Sequence, residues 1–329
     1  MAGDALLVTG AGGFIGARFV ESCGRRGIPV VSVDRPASFT ERPEHRGLPF
    51  GTIVDYEALD AWLARAHPML AGIVHLGACT DTTEMDVDFL RRVNLEYSER
   101  LWRYATGHQL PFVYASSAAT YGDGAVGYDD DEAVIPRLCP LNPYGQSKQQ
   151  FDLLVLAEER AGRRPPTWAG FKFFNVYGYG ERHKGAMASV VLHAFDQIRA
   201  DGEVRLFKSY HPGFADGEQR RDFVSVDDVV EVLHFALDAA VPRGIFNLGT
   251  GSSRTFLDLA HATFAALGVP PRIRFVDMPE GLRARYQYAT EATMARLRAA
   301  GYASPFTTLE DGVRRYVERL LAAGGRLSN

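Results

Sequence analysis

The run Ala5-Leu6-Leu7-Val8-Thr9-Gly10-Ala11-Gly12-Gly13-Phe14-Ile15-Gly16 decides how the rest of the chain is read. A short apolar stretch ends at Thr9, glycines stand at positions 10, 13 and 16, and a helical pattern begins at Phe14. Strand, glycine turn and helix in that order form a cradle for a dinucleotide. Glycines let the backbone turn tightly and approach the pyrophosphate, while the helix start offers free N–H groups and the positive end of its dipole. The next apolar run, Val30–Asp34, ends in an acid suited to the adenosine ribose hydroxyls. Arg35 follows, and a guanidinium there pairs with a 2′-phosphate, which favours NADP over NAD.

Working outward, short strand-like runs at Ile53–Asp55, Gly72–Leu76 and Phe112–Ser116 alternate with helical patterns at Glu57–Ala66 and Val87–Thr106. Repeated βαβ units imply a parallel sheet covered on both faces, which binds ligands beyond its strand ends. Asn142 followed by Pro143 starts another helix that runs to about Ala161. The expected fold is α/β: a Rossmann-type doubly wound parallel sheet with a smaller, interleaved α/β substrate lobe. The dinucleotide domain is expected over 1–174 and the substrate lobe mainly over 175–329. Phe223–Val226 and Ile245–Leu248 are expected to return to the first sheet. The loops Tyr177–Gly185 and Tyr210–Glu218 read as facing substrate.

Composition excludes other classes. The 329 residues are 46% hydrophobic and 23% charged with net charge −4, too apolar for a disordered chain and without the clustered cations of a nucleic-acid binder. Three scattered cysteines give neither a disulfide framework nor a CxxC metal clip, and the apolar run at the start is too short for a membrane span. A cytoplasmic protein without metal is expected. Of 36 basic residues only four are lysine: Lys148, Lys172, Lys184 and Lys208. Where arginine has displaced lysine elsewhere, the survivors are candidates for chemistry that needs a compact, titratable amine.

Two of these features converge on acid/base chemistry. Ser116 and Ser117 end the fifth strand, and Tyr144 and Lys148 stand one turn apart on a single helix face. A tyrosine with a pKa of about 10 is a poor base, but a neighbouring ammonium favours its phenolate and a serine hydroxyl binds the reacting oxygen.

TGxxGxxG at Thr9–Gly16, the serine after a strand and YxxxK at Tyr144–Lys148 resemble the extended short-chain dehydrogenase/reductase superfamily. ASSAATYG (Ala115–Gly122), GFKFFNVYG (Gly170–Gly178), HKGAMAS (His183–Ser189), RDFV (Arg221–Val224), FNLGTG (Phe246–Gly251) and Arg285–Gln287 together resemble its ADP-glycero-manno-heptose 6-epimerases. The resemblance implies that Ser117, Tyr144 and Lys148 oxidise the sugar's C6 hydroxyl to a transient ketone with a tightly bound cofactor, and that Lys184 is a second acid/base for return to the opposite face. It places Gly10, Gly13, Phe14, Ile15, Gly16, Asp34, Arg35, Asp55, Leu76, Gly77, Ala78, Asn94, Tyr144, Lys148, Val176 and Lys184 at the cofactor. Ser117, Asn175, Ala186, His193, Phe207, Lys208, Ser209, Tyr210, Arg221 and Tyr286 would meet a nucleotide-sugar substrate, ADP-heptose.

The same resemblance implies a role in lipopolysaccharide-precursor synthesis and a homo-oligomer, with pentamers in the resembled family. Two positions depart from the pattern. Ala186 replaces a substrate-touching serine, and Leu59 replaces a lysine for the 2′-phosphate, leaving Arg35 or Arg42 to compensate. A nucleotide-sugar 4-epimerase and a non-catalytic dinucleotide sensor are the alternatives. A 4,6-dehydratase is disfavoured because Ala118, Ala119 and Thr120 supply no acid after Ser117.

Overall fold

The structure, a computed structural model, describes residues 4–238, 241–283 and 286–324. Its centre is a seven-stranded parallel sheet of β1 (Ala5–Thr9), β2 (Val30–Asp34), β3 (Thr52–Asp55), β4 (Leu70–His75), β5 (Phe112–Ser117), β6 (Trp168–Phe173) and a late strand, Gly244–Leu248. Between β6 and that late strand come β7 (Asn175–Tyr177), β8 (Val204–Phe207), β9 (Arg220–Arg221) and β10 (Phe223–Ser225), so the late strand is β11. The spatial order is β11-β6-β5-β4-β1-β2-β3. Because helices cover both faces, the inner strands are buried on both sides: all six residues of β6 are buried, Lys172 among them.

Order reverses beside β1. β2 and β3 extend to one side, and β4, β5, β6 and β11 to the other. Loops leaving β1 and β4 must part there, opening the crevice in which doubly wound sheets hold ligands. At this point Gly10 takes φ +67°, and a Cβ on it would lie 2.6 Å from Gly77 N. The two loop backbones touch, and only glycine permits it.

A second core lies away from the sheet. Helices Val190–Asp201, Phe256–Leu267 and Leu309–Ala322 pack Val191, Phe195, Leu259, Phe264, Val313 and Val317 together. Small ladders surround it: β10 with β7, β9 with β12 (Arg254–Thr255), and β8 with β13 (Ile273–Val276). The helix Val226–Asp238 and β11 instead put Val229, Leu233, Ile245 and Leu248 into the core of the main sheet.

One expected return is corrected. Ile245–Leu248 does rejoin the main sheet beside β6, but Phe223–Ser225 pairs with Asn175–Tyr177 in a separate two-stranded ladder. Periodicity reports a buried strand without saying which neighbour it has. The expected helix over 87–106 is observed as Val87–Leu90 and Tyr97–Gly107 joined by a π-helical stretch, Arg91–Glu96. That wider turn carries Asn94 inward, a common feature of functional positions. No described helix is long and apolar enough to cross a membrane.

Candidate active site

The cradle is built by packing of glycine against glycine. Gly13 precedes the helix Phe14–Arg25 without any side-chain cap, so its first N–H groups remain available for an anion. A Cβ at position 16 would lie 2.0 Å from Gly10 O, which locks the helix start against the turn. Phe14 is buried and Ile15 packs on the main core. Asp34 Oδ2 accepts Gly12 N at 3.1 Å and its Oδ1 accepts Ser38 Oγ at 3.3 Å, placing the carboxylate over the cradle. Arg35 is exposed beside it. The Arg42 guanidinium donates to Gly12 O. These residues fit a dinucleotide.

Asp55 ends β3 in register with Asp34, but its Oδ1 accepts Glu57 N at 3.0 Å and caps the next turn. Leu76, Gly77 and Ala78 are half-buried after β4, and Gly77 N donates to Thr9 Oγ1 at 3.2 Å. Behind this loop lies Asn94, fully buried. It accepts Cys79 N at 2.8 Å and donates to Cys79 O and Ser147 Oγ, both at 3.0 Å.

Ser117 stands at the end of β5 and Tyr144 in the first turn of the helix Pro143–Arg160, which is capped by Asn142 Oδ1 on Gly145 N at 2.8 Å. The Ser117 hydroxyl lies beside the Tyr144 phenol. Lys148, 4% exposed, lies one turn further and donates from Nζ to Ala115 O at 2.9 Å. Burial lowers this ammonium to about 8, opposed by the Asp152 carboxylate.

One expectation reverses here. The Tyr144 phenol is raised above its ordinary value by burial, with the neighbouring Ser117 hydroxyl opposing and Cys79 and Asp152 adding to the rise. Lys148 directs its Nζ to a carbonyl, and desolvation dominates the phenol.

Lys184 lies in the 3₁₀ segment Arg182–Met187, with Nζ 5.4 Å from the Phe14 ring centre and 3.9 Å from Glu181 Oε2. It therefore faces the start of the cradle helix. Burial lowers its pKa and Glu181 opposes that. The sequence did not single out Glu181. Its fully buried carboxylate accepts Ser189 N at 2.7 Å and Ser189 Oγ at 2.5 Å, which fixes the loop from behind.

The remaining residues form a rim. Val176 is half-buried against the main core, while Asn175 and Ala186 are exposed. His193 is half-buried on the helix Val190–Asp201. Phe207 ends β8. Lys208 Nζ lies 3.2 Å from Asp277 Oδ1, Ser209 N donates to Asp216 Oδ1 at 2.7 Å, and Tyr210 OH donates to Asp277 at 2.8 Å. The Arg221 guanidinium, buried, lies 5.1 Å from the Tyr286 ring centre and 5.5 Å from that of Phe256. Arg285 lies outside the described residues. Among the described residues, no group of three His, Cys, Asp or Glu is placed to hold a metal ion.

A sequence model of the NAD dependent epimerase/dehydratase family matches residues 6–249. An ADP-L-glycero-D-manno-heptose-6-epimerase of Nitratidesulfovibrio vulgaris is 46% identical over 96% of this chain and 98% of its own. One from Fusobacterium nucleatum is 42% identical with the same coverage. The chain belongs to the NAD dependent epimerase/dehydratase family, with the ADP-L-glycero-D-manno-heptose-6-epimerases.

Among solved structures, the Helicobacter pylori ADP-L-glycero-D-manno-heptose-6-epimerase superimposes with TM-score 0.81 at 25% identity, covering 98% of this chain and 97% of that one. The Thermus thermophilus UDP-glucose 4-epimerase, solved with NAD, gives 0.77 at 25%, covering 97% and 99%. For an epimerase, the two cationic side chains have a clear division. Lys148 is buried on the helix of Tyr144 with Nζ on Ala115 O, and Lys184 reaches the Phe14 ring from the segment Arg182–Met187. The membership, with relatives named as epimerases, sets aside the non-catalytic sensor.

Proposed function

We propose that this epimerase inverts C6 of ADP-D-glycero-D-manno-heptose to give ADP-L-glycero-D-manno-heptose, with NADP resident in the cradle. When bound, the dinucleotide supplies a nicotinamide ring that takes up and returns a hydride. The Tyr144 oxygen receives the proton of the C6 hydroxyl, and the Ser117 hydroxyl donates its hydrogen bond to that same oxygen. Lys148 keeps positive charge beside the phenol. The C6 ketone then turns its other face, and Lys184 donates the proton from the far side. The exposed Asn175, the Lys208–Tyr210 rim and buried Arg221 receive the nucleotide and its diphosphate. Homo-oligomerisation, a cytoplasmic setting and a place in lipopolysaccharide-precursor synthesis belong to the same reading.

The observation that carries it is that Ser117 at the end of β5 meets Tyr144 and the buried Lys148 of the helix Pro143–Arg160, in a chain 46% identical to an enzyme of that name. The test is incubation of purified protein with ADP-D-glycero-D-manno-heptose and NMR of C6. Inversion is expected; unchanged stereochemistry in the presence of dinucleotide rejects the reading, and inversion at C4 of a hexose would support the 4-epimerase alternative. Tyr144→Phe and Lys184→Met are each expected to lower turnover at least ~100-fold while the dinucleotide stays bound.

A further inference from the structure

Lys172 is one of the chain's four lysines and takes no part in the reaction as drawn. It is the penultimate residue of β6, fully buried, with Nζ 2.6 Å from Asp152 Oδ2, itself fully buried. The same ammonium donates to Thr120 Oγ1 at 2.7 Å and sits 5.3 Å from the Tyr121 ring centre. Thr120 in turn donates to Ser117 O at 2.8 Å. Asp152 also accepts Ser116 Oγ at 2.8 Å and Tyr114 OH at 2.9 Å. Asp152 follows Lys148 by one helical turn, as Lys148 follows Tyr144.

Three consecutive residues of β5 are thereby tied down: Ala115 O by Lys148, Ser116 Oγ by Asp152, and Ser117 O by Thr120, which Lys172 holds in turn. A buried ion pair contributes little net stability over apolar residues of equal volume, because desolvating both charges offsets their attraction. Its place directly beneath Ser117, Tyr144 and Lys148 gives it another use.

We propose that Lys172 and Asp152 are positioning residues for this reaction: the pair fixes the Ser117 turn against the helix of Tyr144 and Lys148, and its two charges set the electrostatic balance under them. The inference rests on the roles proposed above for those three residues. The other ionisable groups facing Lys148 and Tyr144 are Cys79 from the loop after β4 and His75 from β4. His75 is held neutral with a pKa near 3, and the Cys79 thiol is raised by burial. Tyr114 and Tyr121, which touch the pair, are pushed above the ordinary tyrosine value by burial.

The test uses the small number of lysines. In protein carrying ¹³C-labelled lysine, the Lys148 resonance is assigned by its loss in Lys148→Met and titrated without substrate. In Asp152→Asn, nearly isosteric, Lys148 loses its nearest carboxylate and its titration is expected to fall by about one pH unit. In Lys172→Met, the Asp152 carboxylate stays hydrogen-bonded to Tyr114 and Ser116 with no cation of its own, so the Lys148 titration rises. The double variant Asp152→Asn/Lys172→Met returns it toward the wild-type position. Thr120→Val keeps both charges and cuts the link to Ser117; it is expected to lower kcat about 10-fold with KM little changed, as for one lost hydrogen bond.

A purely structural pair would lower thermal stability and leave the lysine titration in place; that outcome, or shifts of the same sign in both single variants, overturns the proposal. Should Lys172→Met not fold, Asp152→Asn decides alone: a downward shift supports the proposal and an unmoved titration overturns it. The titration needs no turnover, so a wild-type enzyme that fails to invert C6 would remove the functional reading without altering this result.

Discussion

Asn94 grips Cys79 by both backbone groups, accepting its N–H at 2.8 Å and donating to its C=O at 3.0 Å. An asparagine is suited to this because a single amide presents one acceptor and two donors, and the second donor reaches Ser147 Oγ on the catalytic helix at 3.0 Å. One buried side chain thus joins the loop along the cofactor cradle to the helix that carries Tyr144 and Lys148. Asn94→Ala leaves the Cys79 groups without partners away from water, which costs about 1–3 kcal/mol per group. The expected outcome is a lowered unfolding midpoint together with dinucleotide affinity reduced at least ~10-fold, read by calorimetry and cofactor titration. An unchanged affinity would show that the 76–79 loop holds its own shape.

The Rossmann half was legible in the sequence because its signals are local. Gly10, Gly13 and Gly16 declare themselves by spacing, Asn142-Pro143 starts a helix, and Tyr144 and Lys148 share a face by periodicity alone. Asp152, Glu181 and His75 were not legible. Two are defined by partners far along the chain: Lys172 is 20 residues from Asp152, and Thr9 is 66 from His75, while Glu181 binds Ser189 eight residues on, a pairing with no periodic signal. Lys172 alone gave a signal, as a lysine in a chain that otherwise prefers arginine. The destination of Phe223–Ser225 was misread for a related reason, since a three-residue buried run fits any ladder that offers a free edge.

His75 makes the fold sensitive to acid. It is enclosed between Thr9 Oγ1 at 2.6 Å from Nδ1 and Ser98 Oγ at 2.7 Å from Nε2, and burial lowers its pKa to about 3. The unfolded chain takes up this proton near pH 6.5, so between about 6.5 and 3 it binds more protons than the folded one and stability falls as pH falls. The full effect is on the order of 5 kcal/mol. His234, lowered to about 4, adds in the same direction. Urea denaturation from pH 7 to 4 is expected to show a steady loss for wild type and a shallower one for His75→Gln measured from its own lower starting point. Equal slopes would exclude His75 as the source.

Cofactor choice should separate by arginine. Leu59, where the resembled pattern has a lysine, is 1% exposed and belongs to the core, so no cation reaches the 2′-phosphate from there. Arg35 is exposed next to the Asp34 carboxylate, whereas Arg42 bonds the cradle itself at Gly12 O. Arg35→Ala is expected to weaken NADP at least ~10-fold and spare NAD, the loss of a charge-assisted contact to one phosphate. Arg42→Ala is expected to weaken both alike. Dinucleotide titrations of the two variants, after stripping the resident cofactor, check the pair. Equal losses for NADP and NAD in Arg35→Ala would refute the 2′-phosphate assignment.

Lys148 sets an upper pH limit on turnover, and the sign of its effect on stability allows the two to be told apart. Its ammonium is lowered to about 8 by burial, against 10.5 for an unperturbed lysine. Below pH 8 the folded protein holds this charge in a desolvated place, at a cost of about 3 kcal/mol. Between 8 and 10.5 the unfolded state binds more protons than the folded one, so this group's contribution to stability grows as pH rises. Catalysis runs the other way. The Tyr144 phenol is already raised by burial, and deprotonation of Lys148 removes the ammonium one turn along the same helix. The rate of C6 inversion is therefore expected to fall above about pH 8 while the unfolding midpoint does not fall between pH 8 and 9.5. A rate that declines only where the protein begins to unfold would remove Lys148 from the reaction.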